Sequence, residues 1–228
     1  MKLSIAMTRR ETIQGWIFLL ISVFALPTVI FHTVALLKLP LSEAELNILY
    51  FFVDFIVTVI LFRRFLMASF KKMLASLWRT LRFAALGFIL YYVAMILLSQ
   101  VIVRILPDFS NVNDAAIGEL SQDHYSLMAL CTVFLVPVTE ETLYRGLLFQ
   151  SFQRKNRLFA YGLSTVVFAG IHVCGYIGLY DWLTLLLCFV QYLPAGIALA
   201  WAYEKADTIF APILIHLTIN QIGMSAMR

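Results

Sequence analysis

FAALGFILYYVAMILLSQVIV, residues 83–103, runs for 21 positions without an acid or a base. A helix crosses the hydrocarbon core of a bilayer with roughly 20 mostly apolar residues. Comparable stretches free of Asp, Glu, Lys and Arg recur at 12–37, 158–180, 182–203 and 208–227. A shorter run, 46–62, is broken only by Asp54, and residues 125–139 continue past a charged stretch to Gln153. With 62% hydrophobic residues, 13% charged residues and a mean hydropathy of +0.89, a water-soluble globule is excluded. The expected fold is all-α, a polytopic membrane helix bundle of about seven transmembrane helices. It forms a single integral membrane domain, residues 1–228, with no room for a soluble one.

Charges between the runs orient the chain, because basic loops stay on the cytoplasmic side. Lys2, Arg9 and Arg10 precede the first run, and six bases without an acid lie between Arg63 and Arg82. The next connection holds Asp108, Asp114, Glu119 and Asp123 without a base. Arg154, Lys155 and Arg157 follow, so basic and acidic segments alternate with successive crossings. The N-terminus is expected inside and the C-terminus outside, with Arg228 a minor strain on that arrangement. The first run is too long for a signal peptide's apolar region and no small-residue cleavage site follows it, so it is expected to stay as a helix. Three cysteines, all within spans, do not make a disulfide framework and are expected as small buried hydrophobes. The net charge of +4 follows from the inside loops and calls for no nucleic-acid partner.

Two connections carry expectations of their own. In residues 63–82, Leu66, Phe70, Met73, Leu74, Leu77 and Leu81 recur at helical spacing with bases between them. That pattern predicts an amphipathic helix in the headgroup region of an anionic leaflet, or packed on the protein's own cytoplasmic face. Residues 107–123, rich in Pro, Asn, Ser and Asp, are expected to be a solvated outside loop. Pro137, Pro194 and Pro212 each loosen a helical turn in or near a late span.

Ionisable groups inside a bilayer are costly and are usually held for function. TEETLYRG, residues 139–146, carries three. Glu141 and Arg145 are four apart and share a helix face, where they pair. Glu140 is rotated by about 100° and is less completely neutralised, the setting a general base needs. The plain alternative is a charge cluster that locks two helices together. Further along, FAGIH (168–172) puts Phe168 and His172 on one face, and HLTIN (216–220) does the same for His216 and Asn220. At 1.5 Å per residue, Glu140 and His172 lie ~21–23 Å from their shared turn and His216 ~18 Å from its own. Three helices at such depths converge on one pocket.

E-E-x-x-x-R, F-x-x-x-H and H-x-x-x-N, each in its own membrane helix and in that order, resemble the CAAX-protease and bacteriocin-processing family, also called the Abi family. These are intramembrane endopeptidases. The likeness covers roughly residues 125–222, which it marks as the catalytic core helices, and leaves 1–124 as N-terminal helices and loops. It implies catalytic roles for Glu140, Glu141, Arg145, His172, His216 and Asn220. Glu140 with His172 polarises a water; His216 and Asn220 stabilise the oxyanion; Glu141 and Arg145 hold the base in place. It further implies a peptide or protein substrate at the lipid bilayer and a location in the bacterial cytoplasmic membrane. No cofactor is favoured, since Asn is a poor zinc ligand. If zinc is bound, Glu140, His172 and His216 are its expected ligands.

Other intramembrane peptidases fit badly: there is no H-E-x-x-H, no second glycine after GLST at 162–165, and no G-x-G-D beside Tyr180–Asp181. Two non-peptidase alternatives remain. A small transporter would use the charges as a proton relay, but the chain shows no internal repeat. A non-catalytic binding, immunity or regulatory protein of the same fold would not need all six polar residues.

Overall fold

The structure, a computed structural model, describes residues 3–227; Lys2 and Arg228, which entered the charge pattern, lie outside them. The chain is helical almost throughout. We number the helices α1 (Arg9–Leu36), α2 (Glu43–Leu61), α3 (Arg63–Ala75), α4 (Leu77–Ile105), α5 (Val112–Gln153), α6 (Arg157–Cys174), α7 (Trp182–Ala206) and α8 (Phe210–Ala226). Six of them, α1, α2, α4, α5, α6 and α7, are long and apolar enough to cross a membrane. The seventh expected span corresponds to α8, which has 17 residues and is ~26 Å long, packed against α4 and α7 inside the bundle. Ile89, Leu90, Val93, Leu97 and Val101 on α4 face outward, the apolar surface that acyl chains cover.

Capping residues explain where the helices start. Ser42 and Glu45 form a capping box at α2, and Thr8 and Glu11 form one at α1. The expected outside loop is shorter than 107–123. Asn111 accepts from the backbone N–H of Asn113 and Asp114, so helix begins at Val112. The Asn and Asp residues that suggested turns act as a cap and first turn instead. α5 then continues for 42 residues, bent at the non-helical His124 (φ −131°, ψ 42°). Wide π-turns occupy Ile21–Ala25 and Cys131–Leu135, each ending two residues before a proline, Pro27 and Pro137. A π-turn shifts the carbonyl that the proline ring would meet and that its missing N–H would leave unbonded.

The amphipathic stretch is also divided differently. Ser76 (φ −139°, ψ 44°) breaks it, so residues 77–82 form the first turns of α4. The remaining helix, α3, turns one face to the protein and leaves the other outward. Phe65 and Ser69 are buried on the protein, while Met67, Phe70 and Leu74 face outward among exposed Arg63, Arg64 and Lys71. The fifth expected span ends early, at Cys174, where Gly175 and the left-handed Gly178 (φ 86°) start a turn segment. Cys131 and Cys188 are buried as expected, but Cys174 is exposed at the last position of that shortened helix.

Small residues set the helix spacing in the core. Gly196 of α7 crosses so close to α6 that a Cβ there would lie 3.0 Å from the Cα of Thr165 and 2.7 Å from its methyl group. Ala195, Ala198, Ala200, Ala202 and Ala206 extend this buried small-residue surface, which permits close approach in membranes. The N-terminal segment is strapped across the end of the bundle. Asp207, in the left-handed conformation (φ 62°), accepts from the Ser4 backbone N–H (2.7 Å) and hydroxyl, and pairs with Lys72 at 3.2 Å. Gln150 holds the same segment by donating to the Ile5 carbonyl and accepting from the Met7 N–H.

Candidate active site

TEETLYRG lies deep in the bundle, where α5 widens into a π-turn over Thr142–Phe149. π-turns inside α-helices occur often at functional sites because they re-aim side chains. Neighbouring positions meet different surroundings. Glu141 and Arg145 are both 0% exposed and pair at 2.9 Å, while Glu140 faces a cavity and is only partly buried. The Arg145 guanidinium also lies 4.4 Å from the Phe168 ring and 3.4 Å from the Gly196 carbonyl, which it donates to. The close α6–α7 crossing thus brings a ring and a carbonyl to the same cation.

Phe168 and His172 come from α6, as their spacing implied. The His172 Nδ1 lies 2.7 Å from the Phe168 carbonyl, and its ring stacks on Tyr192 of α7 at 4.3 Å. From α8, the His216 Nδ1 lies 2.8 Å from the Glu141 carboxylate. A carbonyl and a carboxylate only accept, so both Nδ1 atoms carry the proton and both Nε2 atoms present lone pairs; this tautomer is assigned from the partners. These two Nε2 atoms approach Glu140 Oε2 to 3.9 Å (His172) and 4.0 Å (His216). Glu140 Oε2 is buried without a hydrogen-bond partner among the described residues. Asn220, one turn after His216, donates to the Thr132 carbonyl at 2.7 Å, a carbonyl inside the Cys131–Leu135 π-turn.

All six polar residues marked by the motifs therefore lie together, with Glu140 at the centre. It lines two cavities, of about 650 Å³ and about 400 Å³, and His172 lines both with it. His216 and Asn220 line only the smaller. Two features were not anticipated from the motifs. Tyr192 backs His172 and is held by Asn111, Asn113 and Asp114, which lie in the stretch taken for a loop. Asp54 of α2 lines the larger cavity with Glu140, and the signal for it was present as the lone acid in its run.

Two imidazole nitrogens and a carboxylate are chemically a zinc donor set. Around a tetrahedral zinc with bonds near 2.0–2.1 Å, adjacent donors sit ~3.3 Å apart. The distances here are wider, 3.9 and 4.0 Å, and among the described residues no three His, Cys, Asp or Glu are close enough to hold a metal ion.

Comparison with known proteins agrees with the helices that carry these groups. Residues 122–222 match the family model described as type II CAAX prenyl endopeptidase Rce1-like. The chain is also similar to the UPF0177 protein YxdF of Lactococcus lactis subsp. lactis (strain IL1403), 29% identical over 94 residues. Those residues are 41% of this chain and 46% of that protein, so the match spans a little under half the relative's length. No solved structure matches the chain significantly. The match over 122–222, together with the motifs it contains, makes this part of the chain similar to the Rce1-like type II CAAX prenyl endopeptidases.

Proposed function

We propose that the chain is an intramembrane endopeptidase that hydrolyses a peptide bond near the membrane with a water activated by Glu140. The observation that carries this reading is the approach of two histidine Nε2 lone pairs to a buried, unpartnered carboxylate oxygen at the junction of two cavities. Acceptors that converge without a hydrogen between them suit a molecule that brings its own, and water brings two.

The chemistry follows from the donors and acceptors. Glu140 Oε2 takes one water proton as the water oxygen attacks the scissile carbonyl carbon, and His172 Nε2 accepts the other hydrogen and aims the attack. Charge then develops on the carbonyl oxygen. Asn220 keeps one amide hydrogen free of Thr132 to meet it, while His216, whose Nδ1–H Glu141 accepts, holds the water at its Nε2 beside Glu140. The protonated Glu140 passes its proton to the leaving nitrogen as the C–N bond breaks. Glu141 and Arg145 touch no reacting atom in this scheme. They are positioning residues that fix the helix register and the His216 ring. The Asn220 amide, a poor zinc ligand, favours a metal-free site. The basic loops support an inside N-terminus, and the similarity to the Rce1-like peptidases supports a membrane peptidase without choosing its substrate.

Glu140→Gln tests the reading. The amide keeps the shape but cannot take the proton, so cleavage of a membrane-peptide library should fall by about 10²- to 10⁴-fold at unchanged fold. Cleavage at the wild-type rate would remove Glu140 as the base. Metal analysis of the same preparation accompanies it; stoichiometric zinc lost together with activity would make a zinc-dependent mechanism the correct one.

A further inference from the structure

A single acid interrupts the apolar run of α2, and nothing among the described residues pairs with it. Asp54 is 8% exposed, and its Oδ1 is buried without a hydrogen-bond partner. An ionisable group in an apolar helix is costly, and its presence marks a site whose partner has to be named. Outside the candidate site, the other buried carboxylates among the described residues already have theirs. Glu204 receives Arg157 and Tyr161, Asp207 receives Ser4 and Lys72, and Glu11 caps α3 at Phe65.

The surroundings of Asp54 name the partner's chemistry. It lines the larger cavity, of about 650 Å³, which follows one face of α2 from Glu43 through Asn47 and Tyr50 to Asp54 and ends at Glu140 and His172. Among the described residues, three carboxylates line this cavity, Glu43 in the first turn of α2, Asp54 and Glu140, and no lysine or arginine does. Low-dielectric walls lined by one sign of charge focus the field and concentrate the opposite ion. Tyr50, Phe51 and Tyr144 add aromatic wall, on which the methylene stem of a long cationic side chain packs. The smaller cavity differs. Its further acid, Asp114, already takes a hydrogen bond from Tyr192, and Met95, Ile117, Ile219 and Ile222 give it an apolar wall.

We propose that Asp54 is a specificity residue: it is the counter-ion for a lysine or arginine side chain that the substrate places in the larger cavity, on one side of the scissile bond. Apolar residues on the other side of that bond occupy the smaller cavity. This assignment rests on the peptidase reading, because it takes Glu140 and His172, which line both cavities, as the place where the bond is cut.

The test uses the full chain in phosphatidylcholine nanodiscs and a series of bilayer-length apolar peptides. In each, one position carries either lysine or norleucine, its uncharged isostere, and the position is moved along the series. Binding and cleavage are both measured. At one position lysine should be preferred over norleucine by about tenfold or more in binding, as close charge pairs in desolvated sites are. Asp54→Asn should bring that ratio to near one, and Asp54→Glu, which keeps the charge, should restore most of it. Wild-type binding ratios within twofold at every position would overturn the proposal, as would an unchanged ratio in Asp54→Asn. If the wild type cleaves no peptide and behaves as Glu140→Gln does, the peptidase reading fails by itself, and the binding ratios still decide the role of Asp54.

Discussion

Replacing Glu141 by Gln should cost far more stability than its size suggests. The carboxylate is 0% exposed and sits between the Arg145 guanidinium at 2.9 Å and the His216 Nδ1 at 2.8 Å. Gln keeps the shape and one acceptor but not the charge. Arg145, also 0% exposed, would then face only neutral groups there, that acceptor, the Gly196 carbonyl at 3.4 Å and the Phe168 ring at 4.4 Å. Removing one member of a buried ion pair costs about 3–5 kcal/mol, because the other charge stays desolvated. For a chain of this size each kcal/mol moves the midpoint by about 2–4 °C, so a Tm fall of ~6–20 °C is expected. The double variant Glu141→Gln with Arg145→Gln leaves no uncompensated charge and should recover at least half of that loss. It should not recover cleavage, since His216 has still lost the carboxylate that sets its tautomer. Thermal unfolding of all variants in one detergent, followed by tryptophan fluorescence, reads both effects. A fall below about 3 °C, or a double variant no more stable than the single, would refute this account of the pair.

Three further outcomes follow from the geometry. Gly196→Val should destabilise by about 1–3 kcal/mol, since its Cβ would press on Thr165 where the helices cross; an unchanged Tm would mean that α6 and α7 are farther apart. Asn220→Ala should lower kcat more than it raises KM, because an oxyanion donor acts on the transition state, and should cost about 1 kcal/mol through the lost Thr132 bond. Steady-state cleavage checks the first part, and a purely KM effect would count against the donor role. With the N-terminus inside, a cysteine at exposed Ser110 should react with an impermeant reagent from outside, and one at exposed Ala75 should not; the reverse pattern would invert the orientation.

What the sequence disclosed and what it hid divide along physical lines. Depth was legible because a helix rises by a constant amount per residue, so counting from the turns brought Glu140, His172 and His216 to one level. Rotation was not. The contact of His216 with Glu141 depends on how α8 is turned within the bundle, which packing against α4 and α7 decides. Boundaries failed where a residue type serves two purposes. Asn111 and Asp114 read as loop residues and are a cap and a first turn, and Ser76 divides an amphipathic stretch that has no visible break. The π-turns leave no trace in composition beyond the nearby prolines. Asp54 was visible as an anomaly from the start, but its cavity was not, because the walls come from helices distant in the chain.

The strap at Ser4 has a consequence for how the protein is made. Its anchor, Asp207, lies 203 positions later, in the turn between the last two helices. At about 5–20 residues per second, a ribosome delivers that anchor some 10–40 s after Ser4. Throughout that interval the N-terminal segment has neither Asp207 nor, for most of it, Gln150 to hold it. It stays open to proteases while the first helices enter the bilayer and becomes protected only when α7 has turned into α8. A closed strap is thus a sign that the chain has been made past residue 207, and products that stop before it leave Ser4 without its anchor.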